Sequence, residues 1–293
     1  MMEKKYKLTD EAIQHCGNTL YRIEALRDFN DVKKGDKGGF IESEDNLSHD
    51  GNSWIYDNAK VFDNAIVLCN ACVYNDAEVR GSATLYGNAI VAMKAIVYDK
   101  ASISGDAYIG GYARVYGSAC VFIRASVNHK AKVFGNAEVS GDARIIDEAE
   151  VYDYTFIEGH AFIGDSARVY EAAVVRHNAV IMGDSNIHGN AIVEGNAYIY
   201  NAEISKDEDY IVFKNWWSSC RCFTWTKSNN MWKVGCFYGT GEELIAKAYK
   251  DSELSGREYE RIVRYVEAIK EPIKPAKRLN RIQIIVCKLL NIK

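Results

Sequence analysis

Every sixth residue from Ser53 to Ala197 is small. The series has 25 positions, of which 22 are alanine and the other three are Ser53, Thr155 and Ser185. Two residues further on, from Ile55 to Ile199, all 25 positions are Val, Ile or Leu. A small residue and an aliphatic two apart share one face of a strand. The two residues before each alanine are rich in Gly, Asp and Asn, as in Gly-Asn before Ala89 and Gly-Asp before Ala107. These types tolerate left-handed and turn backbone. Each hexad therefore reads as a very short strand followed by a corner.

Three corners close a triangle, so 18 residues make one coil and successive coils pair in parallel. Twenty-five hexads give about eight coils, or about 40 Å at roughly 4.8 Å per coil. The alanines follow from the narrow interior, where one inward position must stay small. The expected fold is an all-β solenoid with a small N-terminal cap and a C-terminal α+β domain. The expected segments are a cap at 1–50, a β-helix at 51–205, a hairpin with two helices at 206–272, and a basic tail at 273–293.

The repeat resembles the hexapeptide-repeat proteins. That resemblance implies a left-handed parallel β-helix, a fold shared by many acyltransferases, although fold does not fix function. The full layout also resembles uncharacterised hexapeptide-repeat proteins of bacteriophages and prophages. The segments that carry this second likeness are Leu20–Ile23, Gly-Gly-Phe-Ile-Glu-Ser-Glu from Gly38, and Gly235 to Glu243.

The flanks read differently. Thr9 to Gln14 has a short helix signal, and Leu20 to Phe29 a strand-like run. After Tyr200 the phase slips by one residue, with Ala202 and Ile204 arriving early. A hairpin follows, with a turn at 227–230 that sets Trp225 opposite Trp232 and a return strand from Met231 to Phe237. Helices are expected to open at Thr240 and Ser255, each with a glutamate three residues on in capping-box spacing.

The net charge of −4 argues against a generic nucleic-acid binder, whose footprint is a basic face. The charged start lacks the apolar run of a signal peptide. No apolar stretch approaches the roughly 18 residues of a membrane span. Eight cysteines then read as reduced thiols in a cytoplasm, that of the host cell for a phage-encoded chain.

Under the acyltransferase resemblance a histidine acts as general base, often near a loop that interrupts the coils, and the cofactor is acetyl-CoA or another acyl-CoA. Here no insertion interrupts the hexads. His160 and His177, 17 apart, fall at one corner on adjacent coils and are the candidate pair; the bland alternative is polar corner residues. Cys220, Cys222 and Cys236 invite a zinc reading. Residues two apart on a strand lie roughly 6.5–7 Å apart, too far for two thiolates on one tetrahedral ion. No metal and no cofactor are expected outside the acyltransferase alternative.

The outer surface is more informative. The outward position after each aliphatic, followed at 18-residue spacing, reads Phe62, Arg80, Tyr98, Tyr116, Phe134, Tyr152, Tyr170, His188. Such a ladder either stacks on itself or presents an aromatic stripe to a partner. Trp216, Trp217, Trp225 and Trp232 are either a small core or a second contact surface. The tail from Lys274 to Lys293 is basic and amphipathic. It could dock on the solenoid, join subunits or touch a membrane surface.

The leading expectation is a non-enzymatic interaction protein of phage or prophage type, a dimer or trimer that binds a protein partner through the ladder or the tryptophans. Antagonism of a host defence is its contextual role. The alternatives are a CoA-dependent acyltransferase and a protein that sequesters a small nucleotide-like ligand.

Overall fold

A computed structural model describes residues 4–215 and 221–270. The coils form two- and three-residue strands that stack in parallel on three faces, in sheets of twelve, nine and eight strands, the twelve counting three longer strands from the N-terminal segment. Each strand pairs with the strands 18 residues away, as in Ile96↔Arg114 and Val97↔Val115. Coil joins coil through hydrogen bonds such as Lys60 N to Ala77 O at 2.9 Å and Phe62 N to Val79 O at 3.1 Å. Every alanine and aliphatic of the two series is fully buried, each aliphatic contributing roughly 1.5–3 kcal/mol.

The corners explain the Gly, Asp and Asn pattern. In the first, Ala59 N donates to Tyr56 O at 3.1 Å. Asp57, between them, has φ +53°, and the equivalent residue of every later hexad through Asn201 is also at positive φ. Glycine, aspartate and asparagine accept that region with least cost. A Cβ on Gly105 would lie 2.7 Å from the Ile123 carbonyl of the next coil, so some corners are closed to other residues by packing as well.

The N-terminal segment continues the twelve-stranded face. Strands β1 (Tyr6–His15) and β2 (Asn18–Ala25) are antiparallel, β2 pairs antiparallel with β3 (Lys37–Ile41), and β3 pairs in parallel with Lys60–Val61. The helix expected at Thr9–Gln14 is therefore a strand. Its residues pair with Thr19–Tyr21 across a bulge between Leu8 and Ala12, and this pairing overrides their helical preference. The interior also starts earlier than residue 51. Ile41 pairs with Val61, Leu47 bridges Val67, and both side chains are buried.

At the far end the one-residue slip is visible in the register, where Ile187 pairs with Ile204 instead of a residue 18 on. A four-stranded antiparallel sheet follows, made of Tyr210–Lys214, Cys222–Thr226, Met231–Val234 and Phe237–Gly239. The return strand stops at Val234, because Gly235 takes φ +55° and turns the chain. The sheet is tied to the last coil. Tyr198 N donates to Thr224 Oγ1 at 2.9 Å, and Glu203 N donates to Ser228 Oγ at 2.9 Å. Accordingly the first compact unit runs Met1–Tyr238 and the second Gly239–Lys293. The boundary falls within the last strand of the sheet, Phe237–Gly239.

The second unit holds helices α1 (Gly241–Asp251) and α2 (Glu253–Lys270). The Thr240–Glu243 capping box forms as expected. The second helix opens at Glu253, two residues before the expected Ser255, because Ser252 takes over as its start: its Oγ accepts from Ser255 N at 3.1 Å. Leu244, Ala248, Val263 and Val266 are buried between the two helices. A Cβ on Gly256 would collide with the Tyr249 ring. The basic tail, Trp216, Trp217 and Cys220 lie outside the described residues.

Candidate functional site

His160 and His177 do occupy one corner on adjacent coils, where His160 N donates to His177 O at 2.6 Å. Their rings part company. His160 Nδ1 lies 3.6 Å from Asp142 on the preceding coil. His177 Nδ1 lies 3.9 Å from Glu194 on the following coil and accepts from Gly195 N at 3.5 Å. The side chains are 68% and 60% exposed, so neither is desolvated as a tuned general base usually is.

The cysteines are no closer to a site. Cys222 lies on a strand opposite Lys214, whereas Cys236 lies in the turn after Val234. Cys72 is buried, which pushes its thiol pKa up and away from thiolate chemistry. Among the described residues no group of three or more His, Cys, Asp or Glu side chains is arranged to hold a metal ion.

The aromatic row is a continuous stack. From Tyr98 through Tyr116, Phe134, Tyr152 and Tyr170 to His188, ring centroids lie 4.7–5.2 Å apart and planes differ by 9° or less. The Arg80 guanidinium covers the first ring at 4.7 Å. At the other end His188 Nε2 meets Glu203 Oε1 at 3.0 Å. The coil repeat of roughly 4.8 Å imposes this spacing. All six rings are half-buried, and burial raises the pKa of each of the four phenols. Because ring faces cover ring faces, the stack offers a partner its edges and hydroxyls. Insertion of a nucleobase would need the stack to open.

Phe62, expected as a member of the exposed row, is instead buried. It packs under His15 with centroids 5.5 Å apart and clusters with Leu20 of β2 and Phe40 of β3. Trp225 and Trp232 pair across the sheet as expected. They are only 4% and 2% exposed, which makes them core and removes them as contact residues.

A shallow groove follows the corner between the nine- and twelve-stranded faces. One hollow of about 370 Å³ is lined by Lys130, Lys132, Glu148, Glu150, Ser166 and Arg168. Its charges are spent on each other: Lys130–Glu148 at 2.8 Å, Lys132–Glu150 at 2.7 Å and Arg168–Glu150 at 3.6 Å. Such exposed pairs are worth little individually, and because Lys132 and Arg168 share the one carboxylate of Glu150, the hollow keeps a single net positive charge.

The twenty-five stacked hexads, each with its left-handed corner, settle the architecture. The chain is a hexapeptide-repeat solenoid. No family model matches it. Over 62 residues it is 45% identical to the protein described as "Uncharacterized acetyltransferase YdcK" of Escherichia coli (strain K12). That stretch is 18% of this chain and 19% of the relative, so the hexapeptide-repeat solenoid shares about a fifth of its relative's length. No helix among its described residues is long and apolar enough to cross a membrane.

Proposed function

We propose that the protein is a non-enzymatic interaction protein whose solenoid serves as a rigid ruler about 40 Å long. The observation that carries this reading is the absence of any insertion in the hexad series between Ser53 and Ile199. An acyl-transfer site needs a base held close to an acceptor and a cofactor in a partly dry cleft. Here the two candidate bases are solvated and engage different coils. A protein partner would be met by fixed side-chain rows, with the edges of the Tyr98–Tyr170 stack as the contact on the twelve-stranded face. Rigid rows cost little entropy on binding, which favours recognition by a solenoid.

The acyltransferase reading is kept alive by one observation, the partial match to a protein named as an acetyltransferase. Thermal shift and turnover assays with acetyl-CoA separate the two. The interaction reading expects no rise in Tm at millimolar acetyl-CoA, and no transfer activity that His160→Ala or His177→Ala could remove. A saturable rise together with histidine-dependent turnover would overturn it.

A further inference from the structure

One outward row of the twelve-stranded face breaks its own charge rule at Arg114. Along that row Lys60 pairs in register with Glu78, Lys132 with Glu150, and Glu150 with Arg168, each time with opposite sign. Arg114 pairs in register with Lys132. Like charges directly opposite are destabilising, and a glutamate at 114 would have kept the alternation. Arg114 is exposed and, among the described residues, forms no ion pair.

The corner row beside it reads Asp76, Lys94, Tyr112, Lys130, Glu148. Across three coils the two rows together hold four cations, Lys94, Arg114, Lys130 and Lys132, and no carboxylate. They meet in the groove, where a hollow of about 350 Å³ is lined by Tyr112, Arg114, Lys130 and Lys132. The coil before carries Asp76 and Glu78, the latter held by His15 at 3.0 Å. The coil after carries Glu148 and Glu150. Apolar surface is exposed in the same stretch. Met93 is 52% exposed at φ +64°, in a corner series otherwise filled by Asp57, Asn75, Gly111, His129 and Asp147. Tyr112, on the next coil, is 60% exposed. A side chain held at such backbone cost points to function, and methionine suits surfaces that adapt to a partner.

The charge order selects the occupant. The groove is shallow, so a small anion would stay largely in water, whereas small-ligand sites bury most of their ligand. A long polyanion would run beyond the basic zone, which covers only two steps of about 4.8 Å, and into carboxylates at both ends. The match is a short segment with acids at its centre and a base at each end. Alternate side chains of an extended peptide lie roughly 6.6 Å apart on one face, so four of them span about 20 Å, and the four coil steps from Asp76 to Glu148 span about 19 Å. We propose that this groove seats an extended segment of a protein partner, with two acidic residues between two basic ones at alternate positions.

The inference rests on the interaction reading and names the partner's chemistry. One acid lies between Lys94 and Arg114, the other beside Lys130 and Lys132, and the bases lie at Asp76 and Glu148. A carboxylate between Arg114 and Lys132 relieves their repulsion. Lys130 and Lys132 are paired with Glu148 and Glu150 in the free protein, and exposed pairs of this kind exchange partners at little cost. Tyr116 follows two residues after Arg114 on the same face, so a larger partner seated here also reaches the edges of the ring stack.

Fluorescence anisotropy on the full chain tests the proposal with two rhodamine-labelled, end-capped peptides of one composition, Lys-Thr-Glu-Thr-Glu-Thr-Lys and Glu-Thr-Lys-Thr-Lys-Thr-Glu. Both are neutral, so general attraction to the protein is the same for each. The first should bind at low salt with a Kd of about 0.1 mM, and the second at least fivefold more weakly. Arg114→Glu and Lys132→Glu should each weaken the first peptide at least fivefold. Lys100→Glu makes the same charge change at the corner between the twelve- and eight-stranded faces and should leave its binding unchanged. Circular dichroism checks that the variants fold. No binding of the first peptide, equal binding of the two, an equal loss in Lys100→Glu, or tighter binding of a ten-residue oligothymidylate in the same groove would each overturn the proposal. The acetyl-CoA assays test the interaction reading separately, so a failure here strikes the groove alone.

Discussion

Tyr116 and Phe134 stack with ring centroids 4.8 Å apart and 1° between their planes. Phe134 has a second neighbour in Tyr152 at 4.7 Å, so removing its ring severs two contacts. Aromatic pairs are worth about 0.5–1.5 kcal/mol beyond area burial. Phe134→Leu should therefore cost about 1–3 kcal/mol. A double-mutant cycle in urea isolates the stacking part. Tyr116→Leu with Phe134→Leu should show a coupling of about 1 kcal/mol, whereas Tyr98→Leu with Phe134→Leu, two rungs apart, should be additive. Equal coupling for both pairs would mean that the stack contributes only area.

The interior makes a sharper pair of predictions. The alanine row is fully buried, and the triangle has no room for larger side chains. Ala143→Leu should destabilise by at least about 2 kcal/mol through overpacking. Thr155 occupies an equivalent position, fully buried, and its Oγ1 has no hydrogen-bond partner. Removing an unsatisfied buried hydroxyl recovers about 1 kcal/mol. Thr155→Ala should thus raise the urea midpoint without changing the slope; a lowered midpoint would show that the methyl group matters more than the hydroxyl.

These cases also show what was legible beforehand. The small and aliphatic rows obey a period that is complete within the sequence, so coil, corner and ladder are legible there. Burial decided by distant segments could not. Phe62 looks like another rung until β1 and β2 cover it. Trp225 and Trp232 look like a contact surface until their sheet packs. Thr9–Gln14 reads as helix because its strand pairing is tertiary.

Ile123 is a β-branched residue at φ +66°, 48% exposed, at a corner position filled mainly by Gly, Asp, Asn and His. Left-handed backbone costs an L-residue of this type about 1–2 kcal/mol. Ile123→Asn relieves that strain without the unfolded-state penalty of glycine. It should stabilise the protein by about 1 kcal/mol, and Ile123→Gly by somewhat less. Thermal unfolding of the two variants decides the matter: a Tm below that of the parent in both would show that Ile123 makes packing contacts outweighing the strain.

Lys5 gives the chain a distinctive pH dependence. It is fully buried, donating to Ser53 O at 2.8 Å and Ser53 Oγ at 3.1 Å, with its Nζ 5.2 Å from the centre of the Phe29 ring. Burial, reinforced by the nearby Arg27 charge, lowers its pKa from 10.5 to about 8. Between those two values the unfolded chain binds a proton that the folded chain does not. Stability from this group therefore rises with pH across that window, by at most about 1.4 kcal/mol per pH unit. Buried tyrosines act in the opposite sense above about pH 10, since burial pushes the Tyr6 phenol higher than its unfolded value. Comparison with Lys5→Met isolates the lysine. From pH 7.5 to 10 the stability of the parent should gain roughly 2 kcal/mol relative to Lys5→Met. A difference that stays flat across this range would mean that Lys5 keeps its proton in the folded protein, with the Ser53 oxygens solvating the ammonium well enough to offset its burial.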